Sequence, residues 1–71
     1  MDSRLELVLL QKADEDIADA HTRIERQRRL IARLRQEGHP TAEANTLLDT
    51  LLGSLQAMED HRGIILRKLG L

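Results

Sequence analysis

In this 71-residue chain, the side chains that could bind a metal, take part in catalysis or bind nucleic acid are three histidines, a set of carboxylates and many arginines. His21, His39 and His61 fall in no H-x-x-x-H or Glu-x-x-His spacing, which would place two metal ligands on one helical face. If the chain folds back on itself, His21 and His61 come to similar heights, and a two-histidine metal site is conceivable. Solvated or capping histidines are far commoner, so we predict no metal site and no cofactor.

The hydroxyl and carboxylate residues form no catalytic pattern. No serine or threonine lies in a nucleophile-elbow sequence, and the four glycines are scattered rather than gathered into a phosphate-binding loop. The carboxylates fall on faces that a helix turns towards solvent. We therefore predict that the protein is not an enzyme.

Charge is distributed unevenly along the chain, although the net charge is only −1. Residues 1–20 carry six acidic side chains against two basic ones, and residues 21–36 carry six arginines against Glu25. The basic segment Arg23–Arg35 is the feature that favours nucleic-acid binding. Three of its arginines share one helical face and are the candidate contacts: Arg26, Arg29 and Arg33.

Other features of the sequence argue against nucleic acid as the main partner. The net charge is negative, and the chain has no aromatic side chain on which a base could stack. The acidic cluster lies only one or two turns from the arginines. Binding of nucleic acid through Arg23–Arg35 is therefore the alternative function and not the preferred one.

The elements that must position these groups are two long helices. Two apolar seams repeat in alternating steps of three and four residues, which is typical of coiled-coil packing. The first seam consists of Leu10, Ala13, Ile17, Ala20, Ile24, Gln27, Ile31 and Leu34. The second consists of Ala44, Leu48, Leu51, Leu55, Met58, Arg62, Ile65 and Leu69. A core without aromatic residues also suits helix-on-helix packing better than a sheet.

The break between the two seams predicts a tight turn. Gly38 suits the left-handed conformation that often ends a helix. Pro40 disfavours the helical region for His39, so the first helix should end before it. Thr41 is a candidate N-cap for the second helix. A connection this short makes the helices antiparallel neighbours.

The predicted fold class is therefore all-α. We predict an antiparallel two-helix hairpin over about residues 3–37 and 41–69, within a single domain of residues 1–71. Two polar residues interrupt the seams. We interpret Gln27 as a polar layer that sets the register of the helices. We interpret Arg62 as paired with one of three acidic residues of the first helix: Asp14, Glu15 or Asp16.

Apolar side chains remain on both helices after the seams are filled, with Leu5 and Ile64 among them. Six leucines that flank the seams are the predicted oligomer or partner interface: Leu7, Leu9, Leu30, Leu47, Leu52 and Leu66. Two helices leave stripes this wide uncovered, and burying each such side chain is worth about 1.5–3 kcal/mol.

We expect two hairpins to pair as a C2 dimer and form a four-helix bundle. In such a dimer, the acidic part of one first helix would face the arginine segment of the other. The competing explanation is that an unidentified partner protein covers the same surface. The predicted function is a small non-catalytic protein that self-associates and acts as a protein–protein interaction or regulatory module.

The cellular location is also constrained by the sequence. The longest apolar run, Leu7 to Leu10, is too short to cross a bilayer. The acidic N-terminal segment lacks the basic and long apolar regions of a signal peptide. We therefore expect no membrane association and a cytoplasmic protein, which the absence of cysteine fits.

Residues 12–69 resemble short uncharacterised helical proteins of alphaproteobacteria. Those proteins carry an A-D-x-H-I segment, an R-Q-x-x-L-I-x-x-L stretch, a G-H-D-T turn and a late H-R pair. The matching positions here are Ala13, Asp14, Ile17, Arg26, Gln27, Leu30, Ile31, Leu34, Gly38, His39, Thr41, His61 and Arg62. Asp16 stands where that family usually has histidine, and Pro40 where it usually has aspartate. The resemblance implies a small cytoplasmic bacterial protein and brings no activity with it.

Overall fold

A computed structural model, which describes residues 3–71, shows the chain as a helical hairpin. Helix α1 is Arg4–Gln36 and helix α2 is Ala42–Leu69, and the two pack against each other antiparallel. The predicted helices are confirmed, and their ends differ from the predicted ones by at most one residue. Met1 and Asp2 of the predicted domain lie outside the described residues. The hairpin is a thin rod that measures 58 × 14 × 14 Å.

The turn begins with the glycine stop that the sequence predicts. Gly38 adopts a φ of 77°, in the left-handed region where a side chain would be strained. The amide of His39 donates to the carbonyl of Leu34 at 2.8 Å, and the amide of Gly38 donates to Arg35 at 3.1 Å. This pair of bonds is a Schellman motif, which satisfies carbonyls at the end of α1.

The start of α2 differs in detail from the prediction. Thr41 occupies the N-cap position, but no side-chain hydrogen bond caps the helix. Its hydroxyl instead accepts a hydrogen bond from the Asn45 side chain at 3.2 Å. The carbonyl of Thr41 accepts the amide of Asn45 at 2.8 Å. The proline before Thr41 and the turn geometry therefore define where α2 begins, and the hydroxyl does not.

The predicted seams form the core of the hairpin. Every buried side chain among residues 3–71 belongs to them: Ala13, Ala20, Ile24, Gln27, Ile31 and Ile65. The remaining seam positions are half-buried. Helix α1 contributes small alanines to the core, whereas the seam leucines of α2 stay partly open to solvent. A core only two helices wide provides little stability by itself.

Candidate interaction surfaces

Gln27 is the polar layer inside the hairpin. Its side chain is only 8% exposed, and its Nε2 donates to the carbonyl of Ala44 on the other helix at 2.8 Å. A buried amide without a partner would cost about 1–3 kcal/mol. Since sliding the helices would break this bond, we expect the contact to favour one register.

Arg62 is the second polar seam residue, and its partner is Asp14. The Nε of Arg62 donates to Oδ1 of Asp14 at 2.6 Å and so links the two helices through residues that are 48 positions apart in sequence. Of the three predicted acidic partners, the structure therefore selects one. The two side chains are 39% and 52% exposed, and such a pair contributes about 0–1 kcal/mol. Its main effect is to orient the two helices.

The hairpin has two different flanks, which the heptad positions separate. In an antiparallel pair, the g positions of both helices meet on one side of the seam and the e positions meet on the other. The g positions, here called the groove flank, are Leu9, Asp16, Arg23 and Leu30 on α1 and Leu47, Ser54, His61 and Lys68 on α2. The e positions, here called the Asp14 flank, are Leu7, Asp14, His21, Arg28 and Arg35 on α1 and Asn45, Leu52, Glu59 and Leu66 on α2.

A groove of about 200 Å³ opens on the groove flank, near the middle of the rod. Its lining includes Asp16, Asp19, Ala20 and Arg23 from α1, and Leu51, Ser54 and Met58 from α2. Small side chains from both helices, Ala20 and Ser54, leave the space open. The groove combines an apolar floor with an acidic and a basic rim.

The six predicted interface leucines do not form one surface. Three lie on the groove flank, namely Leu9, Leu30 and Leu47, and three on the Asp14 flank, namely Leu7, Leu52 and Leu66. Four of the six are 36–54% exposed, while Leu30 and Leu66 are half-buried by the hairpin itself. A single flat interface on one flank therefore cannot cover all six. Sorting the sequence by heptad position would have shown this division.

The sequence interpretation missed two further exposed apolar side chains at the open end of the hairpin. Val8 is 61% exposed and Leu71 is 80% exposed. Leu5 and Ile64 add exposed surface at the same end of the rod. The signal that could have identified Val8 is the run of residues 7–10, which is apolar around the whole helix, because such helices are normally covered on all sides.

The candidate nucleic-acid contacts lie beside the groove. Arg26, Arg29 and Arg33 line a shallow depression of about 280 Å³ together with Leu30. Two of these arginines already have carboxylate partners within α1 or at its C-cap: Arg29 with Glu25 at 3.5 Å, and Arg33 with Glu37 at 3.7 Å. The depression is therefore less basic than the sequence suggests.

The acidic segment of α1 is partly neutralised in the same way. The Nζ of Lys12 donates to Oδ1 of Asp16 at 2.9 Å. This hydrogen bond, together with the attraction between the two charges, raises the pKa of Lys12 above its ordinary value. Lys12 therefore stays charged and holds one oxygen of the Asp16 carboxylate.

The three histidines do not come together. All are exposed, and His39 Nε2 lies 4.0 Å from Glu37 Oε2 in the turn. His21 and His61 fall on opposite flanks, so the conceivable two-histidine site is not formed. Within the described part of the chain, no group of three or more His, Cys, Asp or Glu residues could hold a metal ion.

Two further findings concern the chain as a whole. Neither helix, over residues 3–71, has the length and apolar character needed to cross a bilayer. Comparison of the chain with protein-family models, curated proteins and solved structures gives no match.

Proposed function

We propose that this protein is a non-catalytic helical interaction module whose partner is a second copy of the same chain. The observation that carries the proposal is the uncovered apolar surface. Among residues 3–71, eight large apolar side chains are at least 36% exposed. They follow the rod along both helices and collect at its open end.

The energetics favour association over a free hairpin. The core contains no fully buried large side chain among the described residues, and small domains without disulfides usually need oligomerisation to reach useful stability. Each exposed leucine that becomes buried contributes about 1.5–3 kcal/mol. Pairing two hairpins into a four-helix bundle doubles the width of the core without a change of fold.

Light scattering after size exclusion, at several micromolar concentrations, tests the proposal directly. We expect the mass of a dimer, and we expect the paired change Leu9→Glu with Leu47→Glu to shift the equilibrium towards monomer. The double variant Gln11→Glu with Ala32→Glu is the matched control, because it adds two carboxylates at exposed positions on neither flank. A wild-type protein that stays monomeric and helical throughout this concentration range would refute the proposal.

The second candidate function is weak nucleic-acid binding at the Arg26, Arg29 and Arg33 depression. One observation favours it: Arg26 has no carboxylate within ion-pair distance among residues 3–71. Titration with duplex DNA and with single-stranded RNA at low salt separates the two functions. Nucleic-acid binding would be favoured if the affinity falls steeply as salt rises and is lost when the three arginines are replaced by glutamate.

The location and ancestry of the module belong to the same proposal. We place it in the cytoplasm, because the chain lacks cysteine. The resemblance to short alphaproteobacterial helical proteins agrees with such a location and stays a prediction.

A further inference from the structure

We propose that the two copies pair through the groove flank about a dyad at the level of Ala20, with α1 antiparallel to α1 of the second copy. This inference rests on the proposed self-association and specifies the surface and the orientation that it uses. Four observations carry it: the order of residues along α1, the position of the groove, the charges at the groove, and the apolar residues of α2.

The order of side chains on the groove flank of α1 is self-complementary. At successive heptads it places Leu9, Asp16, Arg23 and Leu30 along one stripe. When this stripe is reversed against itself, leucine meets leucine and aspartate meets arginine. A two-fold interface requires this property, because each contact between two residues occurs a second time with the residues exchanged.

The midpoint of that stripe coincides with the groove. The dyad falls near Ala20, and both Ala20 and Ser54 of the opposite helix line the groove. Side chains this small allow two helices to approach closely. The groove of about 200 Å³ is therefore the space that side chains of the second copy would fill.

The charges at the groove are complementary between copies, and two of them have no charged partner among the described residues of one copy. Neither Arg23 nor Asp19 has an oppositely charged side chain within ion-pair distance among residues 3–71. Lys12 holds only Oδ1 of Asp16. Around a dyad near Ala20, Asp16 of each copy faces Arg23 of the other, and Asp19 and Arg26 lie about one helical turn to either side, which forms two equivalent clusters.

Helix α2 supports the same dyad independently. Leu47 and Ile64 are 49% and 43% exposed, and both lie on the groove side of α2 by heptad position. Their midpoint falls beside Leu55, at the level of the groove residues Ser54 and Met58. In the proposed dimer, Leu47 of one copy therefore approaches Ile64 of the other, and both lose contact with water.

Other arrangements of two copies do not use these features. A dyad parallel to the helices would place α1 against α2 of the second copy, so Asp16 and Asp19 would face Ser54 and Ala57 rather than arginines. Pairing through the Asp14 flank would leave the groove and Arg23 in solvent. The antiparallel groove-flank dimer is the arrangement that covers Leu9, Leu30 and Leu47 and also pairs Asp16 with Arg23.

Charge reversal provides the test. The variant Asp16→Arg with Asp19→Arg makes the centre of the flank entirely basic, and Arg23→Asp with Arg26→Asp makes it entirely acidic. We expect each variant alone to lose at least tenfold in dimer affinity, and an equimolar mixture to form a heterodimer near wild-type affinity. Glu15→Arg with Glu25→Arg is the matched control, because it reverses two exposed acidic residues of α1 away from the groove and should dimerise alone.

The outcomes separate this inference from the proposed function. If the wild type is a dimer and both reversed variants dimerise equally well alone, the dyad is wrong although self-association stands. A monomeric wild type refutes both. Helicity measured by circular dichroism shows whether a variant has merely unfolded, and recovery of helix and dimer on mixing would still support the dyad.

Distances between spin labels test the orientation without altering charge. The chain has no cysteine, so Thr22→Cys and Gln36→Cys each carry one label per copy. The two labels at residue 22 should lie close together near the dyad. Those at residue 36 should be about 50 Å apart, because each lies about 16 residues from the dyad at about 1.5 Å per residue. Short distances at both positions would overturn the antiparallel arrangement.

Discussion

At the scale of single residues, the two polar side chains in the seam have different structural roles. Gln27 is buried and bonded to the Ala44 carbonyl, so its contact favours one register. Arg62 reaches from the seam to Asp14 and stays partly in solvent. The first residue therefore contributes specificity inside the core, whereas the second contributes orientation at its edge. Both roles follow from burial, because the Gln27 side chain is buried whereas the Arg62 side chain is partly exposed to solvent.

The role of Gln27 predicts two different outcomes for two substitutions. Gln27→Ala removes the hydrogen bond and most of the side chain, so we expect unfolding in urea to become easier by about 1–2 kcal/mol. Gln27→Leu keeps the volume and should change stability by less than about 1.5 kcal/mol. Without the polar layer, the leucine variant should sample more than one register, visible as extra amide resonances in NMR.

The comparison must be made at one protein concentration, since the proposed association would contribute to the measured stability. Gln36→Ala, an exposed change at the end of the same helix, controls for loss of a glutamine amide alone. Equal stability of Gln27→Ala and the wild type would show that the buried bond does not matter.

At the scale of the elements, both helices end in the same way for the same physical reason. Gly38 and Gly70 adopt φ values of 77° and 78°, and the residue after each donates its amide back into the last turn. In this conformation, the Cβ of any residue other than glycine comes too close to the following carbonyl oxygen. Gly53 and Gly63, in contrast, lie inside α2 with ordinary helical backbone, where glycine only adds freedom to the unfolded chain.

Alanine substitutions at the two kinds of glycine should change the free energy of unfolding in opposite directions. Gly38→Ala should lower the free energy of unfolding by about 1–2 kcal/mol, because it forces alanine into the left-handed region. Gly53→Ala should raise it by about 0.5–1 kcal/mol, because apart from its chain neighbours and the nearby backbone of its own helix no atom lies within 4 Å of the position its Cβ would take. Thermal unfolding followed at 222 nm measures both. The same sign for the two variants would contradict the assignment of the turn.

At the scale of the whole molecule, a rod of 58 × 14 × 14 Å has much surface and little interior. Its exposed leucines are the consequence, because two helices offer each other only one seam. The uneven charge of α1 favours the neighbour that we propose. A second copy, reversed end to end, would bring opposite charges together and would cover the leucines of the groove flank.

This view predicts that folding of the wild type depends on protein concentration. The midpoint of thermal unfolding should rise by several degrees for each tenfold increase in concentration, because dimerisation stabilises the folded state by mass action. Added salt should lower the association rate more than it changes the dissociation rate, since the charge pairs mainly steer the encounter. A midpoint that does not change with concentration would indicate a hairpin that is stable alone.

Local patterns in the sequence predict much of the hairpin. The alternating three- and four-residue steps predict both helices and their buried faces, and Gly38 with Pro40 predicts where the chain turns. Gln27 and Arg62 stand out because they interrupt an apolar repeat. These predictions succeed because helical periodicity and turn chemistry depend on residues only a few positions apart.

The tertiary structure decided what depends on how α1 lies against α2. Of three neighbouring acidic residues, Asp14 is the partner of Arg62. The packing leaves Leu30 and Leu66 half-buried and the other four predicted leucines exposed. It also leaves a groove open between Ala20 and Ser54. Periodicity specifies which face of a helix is apolar, but it does not specify the register of one helix along the other. That register follows from packing between residues far apart in sequence, and here it places the groove and its charges.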